Sequence, residues 1–270
     1  MKRLYYFLPL LAIVLAFTSC EKVIDIQVNT SPSQIVIEGN VTNTREQQTV
    51  KITRSVDYKN TNVYPTVSGA VVKLTDNAGG SWNFSEVSPG VYRSSVMTGR
   101  AGRTYTLNVS VDNKTYTAAS TMPVQVRADS ITLTDVTFGS RTRKMTAVHY
   151  TDPKGVANQY RYLLRINGQQ TNRIYVFDDR LKDGNISKDE LYPDPDDDDS
   201  SKDLKSGDVA EVEIQNIDKA VFNYWFTLRQ QSRGGPGGAT TPGNPPSNFN
   251  NGALGYFSAH TYQSISITVP

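Results

Sequence analysis

The chain has 270 residues, with 28 lysines and arginines against 26 aspartates and glutamates, one cysteine and two histidines. Charge this balanced excludes the usual polyanion binder, which concentrates basic side chains on one face, so no nucleic-acid partner is expected. One cysteine cannot form an internal disulfide, and two histidines leave a nitrogen- and sulfur-ligated zinc site poorly supplied.

The first nineteen residues begin with Met1, Lys2 and Arg3, run through an apolar stretch from Tyr5 to Phe17, and end in Thr18-Ser19-Cys20. A charged start, a hydrophobic middle and a small-residue exit make a secretory signal; the apolar run is too short for a spanning helix, which needs about 20 residues. The segment resembles a bacterial lipobox, with Phe17 standing where leucine is usual. That resemblance implies a diacylglycerol on the Cys20 sulfur; the alternative is an ordinary cleaved signal with an incidental cysteine. Each buried methylene of the acyl chains contributes about 0.8 kcal/mol, so two or three chains form a stable membrane anchor. Residues 1–19 are therefore expected to be signal peptide and 20–33 a tether. Glu21 and Asp25 near the anchor faintly resemble a surface-export signal, and two acids there are also ordinary solvated linker.

From Gln34 onward the chain reads as strands separated by turns: Ile35 to Val41, Thr49 to Ser55, Val71 to Leu74, Trp82 to Phe84 and Val91 to Arg93. The clearest hairpin runs from Thr104 to Val111, turns at Asp112-Asn113-Lys114 and returns through Thr115 to Ala118, alternating polar and apolar on both arms. Strands at this spacing with no helical period between them predict a sandwich or barrel over residues 34–125. A second β-rich domain is expected over 126–270, with strands at Ser130–Thr134, Lys144–Tyr150, Tyr160–Asn167, Asn172–Phe177, Val209–Ile214 and Ser264–Val269. Within it Val221, Phe222, Trp225 and Leu228 share a helical face behind Asp218 as N-cap, which predicts one helix from Asp218 to Gln231. The Gly/Pro-rich stretch from Gly234 to Asn251 is then a long loop inside that domain, and a candidate for partner contact.

Several segments together resemble the Bacteroidota lipoprotein family DUF4249: Cys20 to Asp25, Ile35-Val36-Ile37-Glu38-Gly39, Pro89-Gly90-Val91-Tyr92, Ser120-Thr121-Met122-Pro123 and, most specifically, Asn244-Pro245-Pro246-Ser247-Asn248 running to Gly252-Ala253-Leu254-Gly255-Tyr256-Phe257. The resemblance implies two immunoglobulin-like or fibronectin-like β-sandwich domains with one short helix in the second. It also implies an outer-membrane lipoprotein that works beside a TonB-dependent, SusC-like nutrient transporter. It implies no reaction. A surface carbohydrate-binding or adhesin-like module is the competing expectation.

Residues 178 to 203 hold eleven carboxylates against four basic side chains. Asp179, Asp183, Gly184, Ile186, Ser187 and Glu190 fall on positions one, five, six, eight, nine and twelve of a calcium-loop template, which makes Asp179, Asp183 and Glu190 the candidate ligands. Leu181 stands at position three, where an oxygen ligand belongs, and a plain polar loop is the alternative. The run Asp194 to Asp199 reads as a self-repelling solvated loop. His149 and His260 are expected at the surface or on strand edges, and Tyr58, Tyr64, Tyr256, Phe257 and Tyr262 in or near loops. No spacing assigns an acid and base pair or a nucleophile elbow, so no catalytic residue is expected.

Overall fold

The computed structural model describes residues 32–57, 63–192, 203–232 and 243–270. Cys20 with the signal and most of the tether, Tyr58, the Asp194–Asp199 run and the Gly-rich part of the loop lie outside the described residues.

Seven strands make the first sandwich: β1 (Ile35–Thr42), β2 (Arg45–Arg54), β3 (Val71–Asp76), β4 (Ser81–Ser88), β5 (Val91–Thr98), β6 (Thr104–Val111) and β7 (Lys114–Thr121). Alternation places every second residue inward, as with Ile35, Ile37, Gly39 and Val41 of β1. One layer is β1-β2-β5 and the other β4-β3-β6-β7, and the two are joined because β4 also pairs with β5. Ile37, Ile52, Leu74, Leu107 and Val109 meet between them, fully buried. Tyr105, near the start of β6, accepts a 2.7 Å hydrogen bond from the Arg100 N–H on its phenol oxygen, the tyrosine corner typical of such sandwiches.

The second sandwich uses β8 (Ala128–Phe138), β9 (Arg141–Thr151), β10 (Gln159–Ile166), β12 (Tyr175–Asp178), β13 (Ile186–Leu191), β14 (Val209–Asn216) and β15 (Leu254–Thr268), with a two-residue extra strand β11 (Gln169–Gln170). Its layers are β8-β9-β13 and β12-β10-β14-β15. Taking these seven in chain order, the first, second and fifth share one layer, and the fourth, third, sixth and seventh share the other. This repeats the order of the first sandwich, and both are fibronectin-like.

The helix α1 (Lys219–Ser232) sits in the connection between the sixth and seventh strands. Asp218 caps it as expected: its Oδ1 accepts the Val221 N–H at 2.9 Å and its carbonyl accepts the Phe222 N–H at 2.9 Å. Val221 and Phe222 pack beneath it with Val176, Ile217 and Tyr256 in a third apolar cluster. Among the described residues no helix is long and apolar enough to cross a membrane.

One segment crosses the division at residues 125 and 126. Leu254 to Phe257 and the strand expected from Ser264 lie on a single strand, β15, about 50 Å long at the usual rise per residue. Its residues 254–260 pair parallel with β1, and its residues 261–268 pair antiparallel with β14, so it belongs to both sandwiches. Gly255 permits this: its φ is +89°, and a Cβ there would lie 2.1 Å from the Ile37 carbonyl oxygen. Side chains lock the joint further. Asn216 Oδ1 accepts from the Val126 N–H at 3.1 Å and the Thr261 hydroxyl at 2.8 Å, and Gln263 exchanges bonds of 2.9 and 3.0 Å with the backbone of Ala128.

The segment that ends the Gly/Pro-rich loop is also part of this joint. Asn248 bonds both the N–H and the carbonyl of Phe257, while Asn250 and Asn251 bond the backbone of Thr117 and Thr115 on β7. Phe249 enters the first core. The described end of the expected partner-contact loop is therefore a cover on the outer edge of β7.

Candidate binding clefts

At the β12 edge of the second sandwich the sheet is interrupted. After the Asn167-Gly168 turn, both residues of which have positive φ, β11 pairs with Arg165 and Ile166. β12 rejoins β10 at Tyr175 opposite Tyr162. Between these points Leu163 and Leu164 of β10 face Thr171, Asn172, Arg173 and Ile174, two residues against four. Asn172 to Ile174, expected as the start of a strand, form this bulge instead. A bulge turns side chains out of the ladder and opens space beside it.

One cavity, of about 360 Å³, lies inside the bulge and is lined by Arg161, Leu163, Thr171, Asn172, Arg173 and Trp225 among others. The Arg161 guanidinium lies over the Trp225 ring at 3.7 Å and donates to Gln215 Oε1 at 3.0 Å. Burial lowers its pKa, an effect partly offset by the negative potential of Tyr256 and Glu213. Among the described residues Thr171 Oγ1 and Trp225 Nε1, both buried, have no hydrogen-bond partner.

A second cavity, of about 320 Å³, opens on the other side of Arg173 and Ile174, between β12 and β13. Its lining includes Tyr175, Phe177, Lys182, Asp189, Glu190 and Arg229. Asp189 is fully buried and ion-paired with the Lys182 ammonium. It also accepts the Tyr162 hydroxyl at 2.7 Å and the Tyr150 hydroxyl at 3.1 Å. Burial first, then the Asp189 charge, raises both phenol pKa values far beyond the ordinary range. Tyr160 donates to Asp152 at 2.8 Å beside them. These groups are mutually satisfied, so the floor is a fixed polar surface.

The carboxylates expected to bind calcium are not gathered. Residues 186–191 form strand β13, so Asp189 points inward while Glu190 points out to Lys188 and Tyr192. The Lys188 hydrogen bond lowers the Glu190 pKa. Asp179 Oδ2 accepts the Asn158 N–H at 2.6 Å, and Asp183 Oδ1 accepts the Gly155 N–H at 2.5 Å. Both tie their loop to the neighbouring one. Among the described residues no group of three or more histidine, cysteine or acidic side chains is placed to hold a metal.

The histidines part company. His149 is half-buried and bonds Thr132, whereas His260 is buried on β15 beneath Arg161, where burial and the guanidinium charge lower its pKa to about 3. Tyr256 and Phe257 are also buried, against expectation; Tyr64 is exposed. Sequence reasoning missed Arg161, Thr171, Lys182 and Asp189, and took Trp225 only as an apolar helix residue.

A search of the curated proteins finds no match. Among solved structures, the chain resembles a segment of two fibronectin type III domains from chicken tenascin at 14% identity and a TM-score of 0.21, covering 68% of this chain and 90% of that one. At that score the fibronectin-like assignment stands on the strand order and the tyrosine corner. The model of the family described as domain of unknown function (DUF4249) matches residues 21–266, and the chain belongs to that family.

Proposed function

We propose that the protein is a non-catalytic outer-membrane lipoprotein, held by a lipid on Cys20, that serves as an accessory binding component of a TonB-dependent, SusC-like nutrient transporter. The observation that carries the binding role is the bulge at the β12 edge, with a ligand-sized cavity on each side of Arg173 and Ile174. The shared strand β15 supports the accessory role. It replaces a flexible linker with a rigid joint and so fixes the clefts relative to the sandwich that follows the tether. The start of the sequence supports export and anchoring, and the resemblance stated above supports the transporter setting.

Crosslinking in intact cells of the native host, purification through a tag and mass spectrometry test this reading. Recovery of a TonB-dependent channel is the expected result; repeated recovery of the protein without any channel contradicts it. Aromatic rings beside both clefts, Trp225 in one and Tyr175 and Phe177 in the other, favour a second reading as an independent carbohydrate-binding module at the cell surface. Glycan binding without a channel partner would select that reading.

A further inference from the structure

We propose that the bulge cavity beside Arg161 is a binding site for a small carboxylate that also carries hydroxyl groups, the chemistry of a sugar acid. The inference names the ligand class for the binding role proposed above and rests on it.

The two cavities differ in their charged linings. The cavity between β12 and β13 holds two carboxylates, Asp189 paired with Lys182 and Glu190 paired with Lys188. In the bulge cavity Arg161 lines the wall, and among the described residues no carboxylate does. Among the described residues Arg161 has no ion-pair partner. Its contacts are the neutral Gln215 amide and the face of Trp225; Glu213 and Glu38 act on it only through their charge, and Glu213 is held by Arg165 at 2.7 Å. A buried cation with no directly bonded counterion is poorly compensated, and an incoming anion improves that.

The remaining wall chemistry specifies the partner further. A guanidinium and an indole N–H only donate hydrogen bonds. Among the described residues Trp225 Nε1 has no acceptor and Thr171 Oγ1 has no partner of either kind, while Gln170 and Asn172 add two amides at the rim. Donors therefore exceed acceptors around a positive centre. A ligand rich in acceptor oxygens, with one carboxylate to face the planar fork of Arg161 and hydroxyls for the amides and Thr171, meets each of these groups.

The test uses the mature protein carrying Cys20→Ala, titrated with glucuronate, glucose and acetate while tryptophan emission and isothermal heat are followed. Glucuronate is expected to bind saturably, with glucose and acetate at least tenfold weaker. Arg161→Gln should weaken glucuronate binding at least tenfold. Trp225→Phe, which keeps a ring under Arg161 but removes the N–H, should weaken it severalfold. Near-ultraviolet dichroism establishes that each variant is folded, and Arg161→Lys replaces Arg161→Gln if the latter is not. Glucose binding as tightly as glucuronate, no saturable glucuronate binding, or folded variants that bind like the parent would each overturn the proposal. Absence of a channel from the crosslinked complex would overturn the transporter reading alone.

Discussion

The two sandwiches share a strand order and differ at one seam. In the first, the fourth and fifth strands pair from Phe84 to Ser88, so the layers are stitched together and the interior is almost wholly aliphatic and aromatic. In the second, the equivalent β12 and β13 pair only with their own layers among the described residues, and a cavity opens between them. Where stitching is absent, the cavity is floored by Tyr150, Tyr160, Tyr162, Asp189 and Lys182, polar groups bonded to one another or to Asp152. One fold thus supplies a closed half and a half with clefts, and the difference lies in the seam rather than in the topology.

The largest expected effect comes from the strand that both halves share. Gly255→Ala forces a side chain onto the Ile37 carbonyl at a positive φ and should destabilise the protein by roughly 3 kcal/mol or more. Because β15 serves both sheets, emission from Trp82 and Trp225, each followed in a single-tryptophan form, should shift together in urea. Separate transitions would show that the halves are independent.

Next is the polar floor of the open half. Asp189→Asn leaves the Lys182 ammonium without its carboxylate and should cost about 3 kcal/mol in chemical denaturation. A loss below 1 kcal/mol would mean that water already satisfies Lys182. In the closed half, Tyr105→Phe removes the bond from the Arg100 N–H and should cost about 1 kcal/mol.

The smallest effect at neutral pH sits at the joint. His260 stays neutral when folded, with a pKa near 3, while the unfolded chain takes up a proton below about 6.5. Stability is therefore undiminished above pH 6.5 and falls as the pH drops towards 3, by up to about 1.4 kcal/mol per pH unit from this residue. His260→Gln should flatten that dependence; an unchanged acid slope would place the titrating groups elsewhere.

Strands that alternate cleanly, such as β1, β6 and β7, were legible in the sequence, and so was α1 with its Asp218 cap. β13 was not, because Asp189 takes an inward position where a strand pattern would show an apolar residue, and the surrounding carboxylates suggested a calcium loop. Only the second half of β15 was legible as a strand, because it alternates while the first half is buried on both faces. The Asn-Pro-Pro-Ser-Asn motif was legible as special but not as an edge cover, since its partners on β7 lie far away in sequence. The Arg161 site left no local signal: the arginine comes from β10 and its tryptophan from α1, and only the bulge brings Thr171 beside them.

Amide hydrogen exchange across the two seams tests the contrast most directly. With β4 and β5 paired to each other and β12 held on one side only, amides of Asn172 to Phe177 should exchange faster than those of Phe84 to Tyr92, and should slow when glucuronate is added. Equal protection at the two seams without ligand would contradict the division into a closed half and a half with clefts.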